Sequence, residues 1–430
     1  MDFLRILSDQ REELMATDVA KFVTRAEESE IHLDSSLAQV VIGVRRSGKS
    51  TMCQKKIHES GITFAYVNFD DDRLLGIKTE QLDDILQVLY RIYGDFNHLF
   101  LDEIQNVQGW PLFVNRLLRQ GMRIVITGSN ANLLSGELAT HLTGRYHEIR
   151  LFPFSFKEYC IANDVALAGF TTKAQALRIN ALDKYLTQGG FPELNASDDR
   201  KEYIQSLLSA VVNKDICRRY NIRYNNVIWQ LANILLDRFG QEIFSNNLSD
   251  MFNVKSPHTI QKYLMYLKSA FLMVSVPKFS FKSIERHRTE KLYAIDNAFI
   301  ADRDNVLMSD NLGWRLENVV ATELIRRCHT ETEAIYYLRK HKAYEVDFVK
   351  VQRSKIKQLI QVTYDFSNPS TRLYTREIGG LLKGAADTKC DDLLLIMMTG
   401  ESKIIEADGK KIKAVTAAEW LVGNDTTYTK

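Results

Sequence analysis

Gly43-Val44-Arg45-Arg46-Ser47-Gly48-Lys49-Ser50 follows the apolar run Val40-Val41-Ile42 and opens a stretch of helical spacing that runs to about Glu59. A G-x-x-x-x-G-K-S loop between a strand and a helix is built to wrap phosphates. Successive backbone N–H groups converge on the anion at the start of the helix, where the helix dipole also favours negative charge. Glycine is needed where the backbone bends or approaches the ligand, here at Gly43 and Gly48. The spacing predicts that Lys49 reaches the β- and γ-phosphates of ATP and that Ser50 puts its hydroxyl on Mg2+. The expected nucleotide-binding set is Gly43, Arg45, Arg46, Ser47, Gly48, Lys49, Ser50 and Thr51.

Downstream, Leu99-Phe100-Leu101-Asp102-Glu103 is an apolar strand ending in two carboxylates. Strand alternation sends neighbouring side chains to opposite faces, so the pair is expected to divide the work. Asp102 is assigned to Mg2+, and Glu103 to orienting and deprotonating the attacking water. Another apolar strand, Ile124-Val125-Ile126-Thr127, ends in Gly128-Ser129-Asn130. Ser129 is a candidate for contact with the γ-phosphate or the water, and a helix N-cap at Ser129 or Asn130 is the alternative reading. Arg145, just before the strand at Tyr146, is a candidate to add positive charge at the γ-phosphate of a neighbouring subunit. The alternative for it is a surface ion pair. Lys49, Glu103, Ser129 and Arg145 are thus the catalytic candidates.

The chain has 430 residues, more than one hydrophobic core usually organises, so two or three domains are expected. Apolar residues make up 45% and charged residues 26%, the balance of a soluble globular protein. No apolar run approaches the roughly eighteen residues that would cross a bilayer. The N-terminal segment mixes acidic with apolar residues and has no small-residue cleavage site, so a cytoplasmic location is expected. Five cysteines, Cys53, Cys160, Cys217, Cys328 and Cys390, stand far apart without C-x-x-C spacing, which argues against a disulfide framework or a zinc site. A net charge of +2 means that any nucleic-acid surface must be local.

From residue 39 to 150, apolar runs at Gln39 to Ile42, Thr63 to Asn68, His98 to Leu101, Arg123 to Thr127 and Tyr146 to Leu151 alternate with amphipathic helical stretches. This is the rhythm of a parallel sheet with crossover helices. From about 155 to 240 the period is helical, broken at Gln188-Gly189-Gly190-Phe191-Pro192. A helix from Ser245 to Phe252, a second opened by Ser256-Pro257, and a strand-like run from Phe271 to Pro277 then fit a winged helix. A mixed pattern of helices and strands continues to Leu421.

Taken together, the G-x-R-R-x-G-K-S loop, LDEIQ at Leu101 to Gln105 with Trp110, TGS at Thr127 to Ser129 and Gly144-Arg145 resemble a known group. So do LFPFSFKEY at Leu151 to Tyr159, GGFPE at Gly189 to Glu193, KDI at Lys214 to Ile216 and KLYAID at Lys291 to Asp296. LEN at Leu316 to Asn318, EVDF at Glu345 to Phe348 and IQVT at Ile360 to Thr363 extend the resemblance over nearly the whole chain. The group is that of prokaryotic AAA+ ATPases joined to a C-terminal domain of unknown function with a PD-(D/E)XK nuclease-like fold. The resemblance implies an α/β protein with four parts. These are an N-terminal helical segment and AAA+ P-loop parallel-sheet core at 1–154, a helical lid and connector at 155–240, a winged helix at 241–290, and a nuclease-like α/β domain at 291–430. It also implies a homo-oligomer, rings included, with nucleotide between subunits.

The second helix of the expected winged helix turns Ile260, Leu264, Leu267 and Phe271 to one side, as core. His258 and Lys262 on the other side, with Lys282, Arg286 and Arg288 just beyond, are DNA-contact candidates. A solvated charged face that binds a protein is the competing reading. In the C-terminal part the nuclease-like pattern maps onto Glu317, Asp347 and Gln361. An active centre of this type uses Glu-x-Lys, whereas here the position is Gln361-Val362-Thr363, so the resemblance implies fold without cleavage. The expected function is an ATPase using ATP and Mg2+ that binds branched or structured DNA such as four-way (Holliday) junctions without reading sequence. An ATP-controlled switch or scaffold in defence or signalling is the alternative, and a nuclease with a rearranged centre is a third reading.

Overall fold

The apolar runs between Ala38 and Arg150 become a five-stranded parallel sheet in the order β2-β3-β4-β1-β5. Its strands are β1 (Ala38–Ile42), β2 (Ala65–Asn68), β3 (His98–Asp102), β4 (Arg123–Gly128) and β5 (Tyr146–Arg150). The computed structural model describes residues 2–130, 142, 144–169, 171–196, 199–222, 225–254, 256–280, 289–301, 303, 312–328 and 332–423. All five residues of β1 are buried, which is why its sequence is continuously apolar apart from Gln39. Helices α1 (Phe3–Ala16), α2 (Lys49–Ser60), α3 (Leu82–Tyr93) and α4 (Trp110–Arg119) accompany the sheet. Val41, Phe100, Val125 and Ile149 from the strands pack with Met52 and Cys53 of α2 in one apolar cluster. The strand order reverses at β1, so the loop after β1 leaves the sheet at its switch point, the usual ligand position in such sheets.

The chain divides into two compact units, Met1–Pro153 with Ser269–Phe271, and Phe154–Lys268 with Leu272–Lys430. The second begins with α5 (Phe156–Ala162), opened by a reciprocal cap in which Ser155 and Glu158 bond each other's backbone. It continues with α6 (Thr172–Gln188), α7 (Arg200–Ala210), a π-helical segment Val211–Arg218 and α8 (Asn225–Asp237). The expected break after Gln188 is real and has a packing cause. Gly189 has φ 82°, and a Cβ there would lie 2.0 Å from Asp296 Oδ1. The Gly190 N–H donates to Asp296 Oδ2 at 2.9 Å, so the Gly-Gly turn and the segment at Asp296 form one joint.

Next come β6 (Glu242–Ile243), α9 (Ser245–Met251), α10 (Pro257–Ser269), β7 (Met273–Pro277) and β8 (Glu290–Ala294). These three strands pair antiparallel in the order β6-β8-β7. The strand expected from Phe271 starts two residues later, because Phe271 takes a left-handed φ of 56° that an extended strand excludes. Ile260, Leu264, Leu267 and Phe271 are all buried, as their spacing requires.

The remainder contains α11 (Ala298–Ala301), α12 (Leu312–Arg326), β9 (Glu333–Lys340), β10 (Tyr344–Gln352), β11 (Lys355–Asp365), α13 (Thr371–Thr388), β12 (Leu393–Thr399), β13 (Lys403–Ala407), β14 (Lys410–Thr416) and α14 (Ala417–Val422). The six strands form one sheet in the order β13-β14-β12-β11-β10-β9. β9, β10 and β11 run antiparallel, α13 crosses over, and β12 returns parallel to β11. Among the described residues no helix is long and apolar enough to cross a membrane.

Candidate functional site

The loop after β1 has no room for a side chain at its first glycine: a Cβ on Gly43 would lie 2.0 Å from the Leu151 carbonyl oxygen. Gly48 has φ 93°, the left-handed turn that aims the first N–H groups of α2 into the loop. Arg46 is also left-handed, at φ 63°, and its side chain is exposed. Arg45 pairs with Asp70 at 3.4 Å, and Thr51 is half-buried in the first turn of α2. Lys49 is buried and donates to the Val44 carbonyl at 3.1 Å, so its ammonium lies folded over the loop. Ser47 Oγ is buried with no hydrogen-bond partner among the described residues. An orphaned hydroxyl, a lysine resting on a backbone carbonyl and a glycine-lined turn fit a phosphate chain.

Asp102 ends β3 beside this loop. Its Oδ1 accepts from Ser50 Oγ at 2.8 Å and from Thr127 Oγ1, and its Oδ2 accepts from the Tyr66 hydroxyl at 3.2 Å. Burial and the charge of Glu103 push its carboxyl up to about 6, against the hydrogen bonds from Thr127 and Ser50 and the charge of Lys49. A hydroxyl and a carboxylate side by side at the start of α2 are the donor set a Mg2+ ion on ATP uses.

The two carboxylates diverge, though strand alternation is not the cause. Glu103 leaves the strand with φ 51° and ψ 39°, at the head of a 3-10 turn, Ile104–Asn106. Its N–H donates to Thr127 Oγ1 at 3.0 Å, and its Oε1 faces Lys49 Nζ at 3.9 Å. Thr127 therefore joins both acidic residues, a link the sequence reading did not signal. Ser129 and Asn130 are buried at the end of β4, and the segment after them lies outside the described residues, so the helix-cap alternative does too. Arg25 was not signalled by the sequence. Its guanidinium donates to the Ser47 carbonyl at 2.9 Å and the Phe152 carbonyl at 2.7 Å, tying the loop to the chain after β5.

Arg145 is exposed and reaches Asn115 Oδ1 at 3.2 Å. β1 and β5 are parallel, with Ala38 opposite Tyr146, and the Ala38 N–H donates to the Arg145 carbonyl at 3.0 Å. Arg145 thus stands where the strands begin, while the phosphate-type loop leaves where they finish, about 13 Å away along the strand.

In the second unit, Glu317 of α12, Asp347 of β10 and Gln361 of β11 come together. The Asp347 N–H meets Gln361 Oε1 at 3.4 Å, and Asp347 Oδ2 accepts from the Val362 N–H at 2.9 Å. The sequence reading missed Lys291 of β8. Its ammonium lies 2.8 Å from Glu345 Oε1 and 3.3 Å from Glu317 Oε1, and Tyr293 donates to the same Glu317 oxygen at 2.7 Å. Burial opposes the charge on Lys291, but Glu317, Asp347 and Glu345 outweigh it and hold the ammonium above its ordinary range. Burial, with Glu317 nearby, pushes the Asp347 carboxyl well up. The group floors a cavity of about 1570 Å³ whose lining includes Arg339, Arg372 and Lys383.

On α10, His258, Gln261 and Lys262 are exposed, and Lys262 Nζ stands 5.9 Å from the centroid of the Tyr266 ring. Lys268, at the far end, is paired with Glu290 at 2.9 Å. Lys282, Arg286 and Arg288 lie outside the described residues.

Residues 35–160 match the family model of the AAA domain, and residues 179–306 match a domain of unknown function, DUF8612. An uncharacterized protein of Methanocaldococcus jannaschii, MJ1544, is 35% identical over 389 residues, covering 88% of this chain and 85% of the relative. An uncharacterized protein of Haemophilus influenzae is 31% identical over 408 residues, covering 90% of this chain and 95% of the relative. Among solved structures, the Walker-type ATPase PABY2304 of Pyrococcus abyssi is 16% identical with a TM-score of 0.43, covering 65% of this chain and 95% of that one. The RuvB Holliday junction branch migration motor of Thermotoga maritima is 14% identical with a TM-score of 0.29, covering 63% of this chain and 89% of that one.

Proposed function

The chain belongs to the family of AAA-domain proteins that includes MJ1544 of Methanocaldococcus jannaschii, and from that premise we propose an oligomeric ATPase that acts on DNA. The protein is an ATPase and uses ATP with Mg2+. Bound Mg2+ would supply positive charge to offset the charge that develops on the phosphates during transfer. The proposed roles follow the geometry. Lys49 would turn from the Val44 carbonyl to the phosphates, Ser50 and Asp102 would hold the metal, and Glu103 would orient and deprotonate the attacking water. Arg45, Arg46, Ser47, Gly48 and Thr51 complete the loop, and Ser129 at the end of β4 is assigned to the γ-phosphate side. Arg145 is too far from its own loop to serve it, which supports an arginine acting on the nucleotide of the next subunit in an oligomer or ring.

The parts proposed are a P-loop core to residue 154, a helical lid and connector at 155–240, a winged helix at 241–290 and a nuclease-like domain at 291–430. The winged-helix reading is supported by two consecutive helices, α9 and α10, followed by the β7–β8 hairpin. The observation that carries DNA binding is α10 itself. One face is buried in Ile260, Leu264 and Leu267, and the opposite face leaves His258, Gln261 and Lys262 open, next to a hairpin whose connection bears Lys282, Arg286 and Arg288 in sequence. The contacts are of phosphate type, so a structured form such as a four-way junction is proposed, recognised by shape. The order helix, three antiparallel strands, crossover helix, parallel strand from α12 to β12 supports the nuclease-like reading of the last domain. Lys291 already neutralises Glu317 and Glu345 there, and the Glu-x-Lys lysine position is Thr363, so cleavage is not proposed.

One observation favours the switch or scaffold reading: Phe244, Met251 and Met265 are exposed around α9 and α10, apolar surface that suits a protein partner. ATPase activity measured with and without single-stranded, duplex and junction DNA separates the two. Stimulation by one DNA form is expected, and identical rates together with no DNA binding at low salt would leave the scaffold reading.

A further inference from the structure

The water-activating carboxylate is held by more than its place in the chain. Glu103 heads a 3-10 turn anchored at both ends, by the Glu103 N–H on Thr127 Oγ1 at 3.0 Å and by Asn106 Nδ2 on the Phe69 carbonyl at 3.0 Å. Inside that turn Gln105 Nε2 donates to Glu103 Oε2. The other oxygen, Oε1, lies 3.9 Å from Lys49 Nζ, where the side chains of Lys49 and Glu103 are only 3% and 13% exposed. We propose that Gln105 is a positioning residue for the hydrolytic step, fixing the carboxylate plane of Glu103 so that Oε1 faces the phosphate-binding loop.

The terminal torsion of a glutamate is broad and nearly two-fold, so without a partner its two oxygens share the forward position over a range of angles. One N–H bond to Oε2 removes that freedom and leaves a single oxygen lobe for the water. Gln105 is two residues from Glu103, too close to fold onto it except in a tight turn, and the left-handed backbone at Glu103 supplies that turn. A second observation points the same way. Gln105 Oε1 is buried and has no hydrogen-bond partner among the described residues. Buried acceptors normally find donors, so this amide is placed for what its N–H group does, and its carbonyl is left for a water that arrives with nucleotide. The proposal rests on the proposed role of Glu103 as the water-activating carboxylate and is independent of any DNA role.

Steady-state and single-turnover ATPase assays on the full chain test it. Gln105→Ala is expected to lower kcat by about 10- to 100-fold, with KM for Mg·ATP and affinity for a non-hydrolysable ATP analogue within about twofold of wild type. Gln105→Glu keeps the length and lacks the N–H donor. It is expected to lose turnover in the same way, and it carries the test if the alanine variant folds poorly. In a Glu103→Gln background, adding Gln105→Ala should leave single-turnover hydrolysis unchanged, because no base remains to be positioned. Wild-type kcat in both Gln105 variants, a loss that appears equally in KM, or an additive loss in the Glu103→Gln background overturns the proposal.

Discussion

Ser50 Oγ donates to Asp102 Oδ1 at 2.8 Å, joining the first turn of α2 to the last residue of β3. These are the two residues that would hold Mg2+ in the proposed site, and the carboxyl on the acceptor side is pushed up to about 6 by burial and Glu103. Because the folded value exceeds the ordinary 3.8, the folded state binds the proton more tightly than the unfolded chain. This group's contribution to stability without nucleotide therefore declines as pH rises from about 4 to about 6. Metal binding runs the other way, since it needs the ionised form. Affinity for Mg·ATP is expected to fall about tenfold per pH unit below about 6, and Asp102→Asn should bind weakly with that component of the pH dependence gone. Fluorescent-nucleotide titrations from pH 5 to pH 7.5 in buffers of fixed ionic strength check this, and parallel curves for the two proteins would count against it.

Lys49 and Glu103 face each other at 3.9 Å yet serve separate steps. Lys49→Ala removes the charge that neutralises the phosphates, so ATP affinity should drop by about 100-fold or more and hydrolysis with it. Glu103→Gln leaves Ser50 and Asp102 in place, so the nucleotide still binds while kcat falls by about 100- to 10,000-fold. Rapid multiple turnover by Glu103→Gln would remove the base assignment.

The position of Arg145 at the opposite end of the sheet from its own loop makes a mixing experiment decisive. Arg145→Ala should lower kcat by about a thousandfold without changing nucleotide affinity. Mixed with Lys49→Ala protein, which lacks a working loop but keeps its arginine, it should regain activity at interfaces that combine an intact loop with an intact arginine. No recovery in demonstrably mixed oligomers would end the assignment in trans.

What was legible in the sequence was local. Gly43, Gly48, Lys49 and Ser50 declare themselves by spacing because the loop's chemistry is carried by consecutive backbone groups, and Asp102 and Glu103 because an apolar strand ends there. Register across the sheet was not legible. Thr127 reaches the Asp102 carboxylate and the Glu103 N–H only because β3 and β4 pair with Leu101 opposite Ile126, which puts its hydroxyl level with Asp102. Nor was Lys291. The nuclease-like pattern puts its lysine two residues along the strand from Gln361, at Thr363, whereas the ammonium arrives from β8, a strand of the other sheet in that unit.

Lys291 also makes a stability prediction. Its side chain is 6% exposed beside Glu317 at 16%, so removing it leaves a nearly buried carboxylate without its cation. Lys291→Ala should destabilise the protein by about 3 kcal/mol, and adding Glu317→Gln should restore part of the loss, because the orphaned charge goes with it. Urea unfolding monitored through a probe in residues 154–430 reads both. Equal, additive losses in the two single variants and the double would mean that the ion pair contributes nothing of its own.

Salt dependence separates a phosphate-binding surface from a protein-binding one on the same helix. His258 and Lys262 are open on α10, and Lys282, Arg286 and Arg288 follow in the connection between β7 and β8, cationic and polar groups of the kind that meet phosphates. Reversing the three connection charges should weaken binding to every DNA sequence alike and lower the salt slope by roughly three, one for each counterion no longer released. Unchanged affinity and slope across a salt titration would assign the surface to a protein partner. The same labelled duplex and junction DNA, incubated with Mg2+ or Mn2+, should remain intact, and Asp347→Ala should alter nothing in that assay. Cleavage that vanishes in Asp347→Ala would show that this centre works without a lysine at position 363, and would move the nuclease reading to first place.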